Sequence, residues 1–256
     1  MTIDIHALIA QRHHLKDPLE IYAKWQRFHR EVGEFLPKAG STISLEDTKA
    51  YPQKNGGAIF RLFVSSFDLP GEDFEPLRRA LEAGEIDFMR FPLDEFPAFS
   101  SLACSEDELT SLLFLFSRPY FIALREACLL DGSQWENGRC PLCSARAALS
   151  SIAEGPSRLL HCSFCGTSGP YRFIGCPNCE TVDAMQLNTI MSEDEPGFRI
   201  ATCNECRTYL KVVESPVLKE MTLDLADMAS LPLDIVAQEK GYLRLAPNPI
   251  SLKKMA

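Results

Sequence analysis

Eight cysteines fall between residues 140 and 206 as four Cys-x-x-Cys pairs: Cys140/Cys143, Cys162/Cys165, Cys176/Cys179 and Cys203/Cys206. Two thiolates separated by two residues can grip one metal ion from a tight turn, and two such turns close a tetrahedral four-sulfur site. The region also repeats. Cys-Pro-Leu-Cys at 140 matches Cys-Pro-Asn-Cys at 176, and Arg158-Leu-Leu-His-Cys-Ser-Phe-Cys-Gly-Thr aligns with Arg199-Ile-Ala-Thr-Cys-Asn-Glu-Cys-Arg-Thr. Each half therefore runs Cys-Pro-x-Cys, a variable stretch, then Cys-x-x-Cys-x-Thr. The gaps between pairs are 18 residues in the first half and 23 in the second, within the range of ribbon-type sites. The repeat favours one ion on Cys140, Cys143, Cys162 and Cys165 and another on Cys176, Cys179, Cys203 and Cys206, over an interleaved pairing.

Other uses of Cys-x-x-Cys fit less well. A thioredoxin-like redox pair needs a βαβ setting, which the flanking sequence lacks. Haem attachment needs His after the second Cys, where Ser144, Gly166, Glu180 and Arg207 stand. The clustered spacings of ferredoxin ligands are missing. Disulfides would require an oxidising compartment. Four thiolates suit zinc or iron: zinc would be structural, whereas iron would add one-electron chemistry. The Cys-Pro-x-Cys turns resemble rubredoxin knuckles. With every coordination position filled by protein, neither ion has room for substrate or activated water. No Ser-His-Asp arrangement, phosphate loop or dinucleotide fingerprint accompanies them. No catalytic residue is expected, and the chain reads as a non-enzyme. His13, His14 and His29 read as ordinary surface or helix residues; His161, directly before Cys162, is either a support for that pair or a plain neighbour. The remaining Cys104 and Cys128 read as core thiols.

The scaffold needed to position these pairs reads as α+β. The predicted architecture is an all-α N-terminal domain of about five helices over 1–137, two rubredoxin-like or zinc-ribbon-like β modules over 138–174 and 175–214, and a C-terminal helix and tail over 215–256. In the first part, Asp17 and Pro18 form a helix start, and Ile21, Trp25, Phe28, Val32 and Phe35 share one face; Pro37 would close that helix. Ser105 with Glu108 forms a capping box before Leu109, Leu112, Leu113 and Phe116, and Pro119 would kink or restart the helix before Tyr120–Leu130. Ile59–Leu69 and Glu75–Ala83 read as helices, and Phe88–Phe99 as irregular. Tyr171–Ile174, Phe198–Ala201 and Tyr209–Val213 read as strands, and Leu231–Glu239 as a helix stopped by Gly241.

Composition narrows the partners. The 256 residues are 46% hydrophobic and 24% charged, an ordinary globular profile. The net charge is −9, and residues 140–206 hold four Arg and no Lys against seven acidic residues. Such a surface is repelled by phosphates, which argues against a nucleic-acid partner. The most apolar stretch, Leu112–Phe116, is soon followed by Arg118 and Arg125, too short for a membrane span. Asp4 sits early in a terminus lacking the basic-then-apolar order of a signal peptide, so a cytoplasmic location is expected.

Together the four pairs resemble the formate dehydrogenase accessory protein family, FdhE. The likeness is carried by Leu160-His161-Cys162, by Cys203-x-x-Cys206-x-Thr208-Tyr209-Leu210-Lys211, and downstream by Ala229-Ser-Leu-x-Leu-Asp234, Gly241-Tyr242 and Asn248-Pro249. It covers about residues 139–250; before that it is a likeness of helical character. The resemblance implies a cytoplasmic maturation factor that contacts the catalytic subunit of respiratory formate dehydrogenase. It also implies rubredoxin-like iron on the eight paired cysteines, which favours two iron ions over zinc. The chain departs from the family pattern at Ser144, where glycine is usual, and around Gly169-Pro170. A non-glycine in a left-handed turn costs about 1 kcal/mol. The competing expectations are a zinc-ribbon nucleic-acid binder and a rubredoxin-like electron-transfer protein. Whether the chain forms a homodimer is left open by the sequence.

Overall fold

A computed structural model describes residues 4–36, 45–72, 74–83, 85, 105–128, 135–152 and 157–254. Among these, a helical N-terminal region precedes a mixed six-stranded sheet and C-terminal helices. The chain divides into two compact units, one of residues 20–129 and the other of 1–19 together with 130–256. No helix among the described residues is long and apolar enough to cross a membrane.

The helical region comprises α1 (Ile5–Gln11), α2 (Lys16–Val32), α3 (Leu45–Phe67), α4 (Glu75–Glu82) and α5 (Glu106–Cys128). In α2 the buried stripe is Tyr22, Trp25, Phe28 and Val32. Ile21 is 40% exposed, correcting its expected place in the stripe. Both Ile21 and Tyr22 precede Trp25 at helical spacing, and the larger ring, stacked on Trp25 at 5.7 Å, takes the inner side. Nor does Asp17 cap the helix, because a 3-10 turn over His13–Leu15 runs straight into it.

The helix expected from Ile59 begins at Leu45 and ends at Phe67. Its Gly56 and Gly57 lie against α4: a Cβ on Gly57 would sit 2.0 Å from the Glu82 carboxylate. Here the glycines permit close packing and do not break the helix. The capping box is present, with Ser105 N–H donating to Glu108 Oε2 at 2.7 Å and Glu108 N–H donating back to Ser105 Oγ at 3.3 Å. Pro119 neither ends nor restarts α5. Proline has no N–H, which orphans the carbonyl of Leu115 four residues earlier. The Trp25 indole N–H donates to that carbonyl at 3.1 Å, so the missing helical bond is replaced. Pro37, Phe88–Phe99 and Cys104 lie outside the described residues, as do Leu129 and Leu130 at the expected end of α5 and the side chain of Cys128.

The sheet contains β1 (Leu149–Ile152), β2 (Arg158–His161), β3 (Ser168–Tyr171), β4 (Leu187–Met191), β5 (Phe198–Cys203) and β6 (Thr208–Glu214). Their order is β3-β2-β1-β6-β5-β4. All neighbours are antiparallel except β1 and β6, which run parallel with Leu149 opposite Lys211. Each half is thus a three-stranded antiparallel meander, and the parallel pair fuses the halves into one sheet. The strand expected over Tyr171–Ile174 stops at Tyr171; the chain then bends, leaving Phe173 and Ile174 exposed before Gly175 at φ 151°. Helices α6 (Ser215–Glu220), α7 (Leu223–Ala229) and α8 (Leu231–Glu239) follow, and Gly241 at φ 78° stops α8.

Candidate metal centres

Each Cys-x-x-Cys forms the same turn. The backbone N–H one residue past the second Cys donates to the carbonyl of the first Cys in three of them: Ser144 to Cys140 at 2.9 Å, Gly166 to Cys162 at 3.0 Å and Glu180 to Cys176 at 3.0 Å. In all four knuckles that residue has positive φ: Ser144 59°, Gly166 76°, Glu180 64° and Arg207 55°. The turn is left-handed, the conformation that favours glycine, yet only Gly166 is one.

The strands bring these turns together by halves. The sulfurs of Cys140, Cys143, Cys162 and Cys165 lie within 4.8 Å of one another, as do those of Cys176, Cys179, Cys203 and Cys206. The closest pairs are Cys140–Cys165 at 3.4 Å, Cys143–Cys162 at 3.5 Å and Cys143–Cys165 at 3.6 Å in the first group. In the second they are Cys176–Cys206 and Cys179–Cys203, both at 3.6 Å. A tetrahedron with metal–sulfur bonds of about 2.3 Å has sulfur–sulfur edges of about 3.8 Å, whereas a disulfide needs about 2.05 Å. The spacing fits an ion at each centre and no disulfide. Two ions could therefore be held, one per group.

Hydrogen-bond donors support this fit. Cys165 N–H points at Cys162 Sγ at 3.5 Å and Asn178 N–H at Cys176 Sγ at 3.4 Å. In each half the threonine two residues beyond the last Cys contacts its sulfur, Thr167 Oγ1 to Cys165 at 3.1 Å and Thr208 Oγ1 to Cys206 at 3.0 Å. Such bonds stabilise thiolate charge and tune a bound metal. Without an ion, four buried thiols cannot all ionise. Donation from Cys143, Cys162 and Cys165 draws Cys140 towards thiolate, while burial pushes Cys143 and Cys162 up. In the second group burial raises Cys179 and Cys203. Burial also works to raise Cys206, but hydrogen bonds led by that from Thr208 hold it down at about 6.

His161 is buried between two serines, its Nε2 2.7 Å from Ser151 Oγ and its Nδ1 2.7 Å from Ser168 Oγ. Desolvation lowers its pKa to about 4, so the ring is neutral. It ties β1, β2 and β3 together, one residue before Cys162. Arg158, also buried, reaches from β2 to the second half, donating to the Gly175 carbonyl at 3.0 Å. Arg146, Arg158, Cys176 and Cys203 line one small cavity, so the first half supplies positive charge beside the sulfurs of the second. Gly138, at φ 60°, lies so close to Pro177 that a Cβ would meet its carbonyl oxygen at 1.9 Å.

Behind the sheet is a cluster that residue spacing did not disclose. Lys211 on β6 lies 2.6 Å from Asp227 on α7 and 2.6 Å from Asp234 on α8. Arg244 pairs with the same carboxylates at 2.6 and 2.8 Å, and Tyr209 O–H donates to Asp234 at 2.6 Å. All four charges are buried, and they balance two against two. The signal available was the positioning of Tyr209, Lys211 and Asp234 within family-like motifs. The threonines were visible as the last residue of each repeat, without a role attached.

Fold and site define the class: a helical region joined to a tandem four-cysteine knuckle protein, whose two centres share one sheet. Within that class, residues 174–251 match the family model described as FdhE, C-terminal domain. An FdhE homolog of Aquifex aeolicus is 28% identical over 174 residues, covering 66% of this chain and 59% of that protein. One from Proteus mirabilis is 32% identical over 116 residues, and FdhE of Escherichia coli O1:K1 is 28% identical over 113. Each of those two alignments covers 43% of this chain, and they span 37% and 36% of those relatives. The crystal structure of FdhE from Pseudomonas aeruginosa shares the fold, with a TM-score of 0.59 at 20% identity over 92% of this chain and 89% of that one. The chain is thus similar to FdhE proteins, through the family model over residues 174–251 and through the shared fold.

Proposed function

We infer that this chain is a cytoplasmic accessory protein in the maturation of formate dehydrogenase, contacting the catalytic subunit and performing no turnover of its own. In this reading Cys140, Cys143, Cys162 and Cys165 hold one ion, and Cys176, Cys179, Cys203 and Cys206 hold a second. The carrying observation is the pair of closed four-sulfur groups on one sheet, the second of them within the segment that matches the FdhE C-terminal domain model. A site closed by four thiolates offers structure and, with iron, one-electron chemistry, but no open position for substrate. Iron is favoured by the Cys-Pro-x-Cys turns and by the N–H and O–H donors aimed at sulfur. The protein's own contribution is to orient the sulfurs, exclude water from the first group and neutralise thiolate charge.

Two measurements test this. Protein purified without oxygen should carry two iron ions and the visible absorption of ferric tetrathiolate; a colourless protein with two zinc ions refutes the iron assignment. Deleting the gene should abolish formate dehydrogenase activity, with rescue by the native chain and none by Cys140→Ser/Cys143→Ser. Full activity in the deletion strain overturns the accessory role.

A further inference from the structure

The two halves offer the same sheet edge but treat it differently. In each, the first strand after the Cys-Pro-x-Cys knuckle, β1 or β4, has one side paired within its own meander. The other side of β1 is covered by β6. The other side of β4 pairs with no strand among the described residues, since β4 ends the sheet. Asn204 N–H donates to the Gln186 carbonyl, so in this antiparallel register Asn188 and Ile190 face β5. Leu187, Thr189 and Met191 therefore turn their N–H and C=O groups outward.

Open edges are normally blunted by proline, lysine or bulges. The opposite edge of this sheet follows that rule: β3 reads Ser-Gly-Pro-Tyr, and the Pro170 carbonyl already accepts from Trp135 N–H at 3.2 Å. β4 reads Leu-Asn-Thr-Ile-Met, with no such device. Around it Val182, Met185 and Met191 are 60, 82 and 73% exposed.

Charge selects the occupant. Residues 173–198 contain Glu180, Asp183, Glu193, Asp194 and Glu195 and no Lys, Arg or His. Glu195 is buried against Arg12 at 2.7 Å, but the other four are exposed at the two ends of β4. A second copy pairing antiparallel through β4 would set Asp183 of one chain against Glu193 and Asp194 of the other. A second copy using β3 meets Pro170. A basic extended segment meets neither obstacle.

We propose that the outer edge of β4 docks an extended, positively charged, partly apolar segment of the client protein by strand addition, as β6 adds to β1. This rests on the accessory reading above, with the catalytic subunit as client.

The test uses full-length, metal-loaded protein and the purified formate dehydrogenase catalytic subunit. Hydrogen exchange at 187–191 should slow on binding. Thr189→Pro removes an outward N–H and leaves the β5 ladder intact; it should weaken binding about tenfold while both metals are retained. Glu193→Lys/Asp194→Lys, which leaves the strand unchanged, should weaken binding similarly and decides the matter if Thr189→Pro fails to fold. Native affinity in the charge variant, or protection elsewhere with none at 187–191, overturns the proposal. So does a concentration-dependent dimer that Thr189→Pro abolishes, which would make the occupant a second copy. If the catalytic subunit does not bind the native chain, the accessory reading fails. The edge is then read with a Lys/Val-alternating peptide, N-methylated on alternate amides: saturable binding lost in Thr189→Pro supports it, and no binding overturns it.

Discussion

The first and second four-sulfur groups are built from the same turn, the same strand order and the same threonine, yet they meet solvent differently. All four cysteines of the first are buried, whereas Cys179 and Cys206 of the second are half-exposed. The first group is covered by its surroundings: Phe164 is fully buried between Cys162 and Cys165, and Ser163 Oγ donates to the Pro247 carbonyl of the C-terminal tail at 2.7 Å. In the second group Asn204 and Glu205 occupy the matching positions and stay at the surface. Duplication thus copies the grip, while the neighbours of each copy set how far an ion is shielded. The inner group is shielded from solvent on every cysteine, and the outer one is open to it at Cys179 and Cys206.

The largest expected effect separates the two directly. Removing one structural tetrathiolate ion forfeits apparent free energy of about 10–16 kcal/mol. Cys140→Ser/Cys143→Ser should therefore reduce two ions to one and unfold the first half. Cys179→Ser/Cys206→Ser should also lose one ion but leave a cooperative thermal transition. Metal counting with calorimetry checks both, and equal destabilisation would erase the distinction. A chelator should likewise strip the outer ion first, seen as two kinetic phases.

Next in size is the scaffold common to both halves. Lys211→Met leaves two buried carboxylates facing one arginine, a loss of about 3–5 kcal/mol in denaturant unfolding. Because Lys211 lies on the strand that pairs with β1, both groups should lose their ions in one transition. Thr167→Val and Thr208→Val each remove one O–H to sulfur bond, worth about 1 kcal/mol. Both threonines are buried, but Thr167 bonds the buried Cys165 and Thr208 the half-exposed Cys206, so Thr167→Val should show the larger change in metal affinity, measured by competition with a chromophoric chelator. Smallest is Glu180→Gly, which relieves a left-handed non-glycine and should raise stability by about 1 kcal/mol without changing the ion count.

Much of this was visible before any coordinates. The cysteine spacing, the internal repeat, the capping box at Ser105 and the stop at Gly241 are signals carried within a few residues. The errors share a cause too. Ile21 and Tyr22 were equivalent by periodicity, and only the packing around Trp25 separates them. Pro119 reads as an interruption, and the helix expected from Ile59 in fact begins at Leu45, because the neighbours that accommodate Pro119 and Gly57, Trp25 at the Leu115 carbonyl and Glu82, lie far away along the chain. Strands β1 and β4 are short and carry little alternation, so their pairing partners define them.

Residue order alone accounted for how each pair of thiolates points at one spot, because a four-residue turn depends only on its own backbone. It did not reveal that β1 and β6 run parallel and join the halves, that Arg158 crosses to the neighbouring centre, or that Lys211, Asp227, Asp234 and Arg244 close a neutral quartet. Nor did it indicate which set of sulfurs would be shielded. Those features come from segments meeting across tens of residues, where burial and charge balance are properties of the assembled fold.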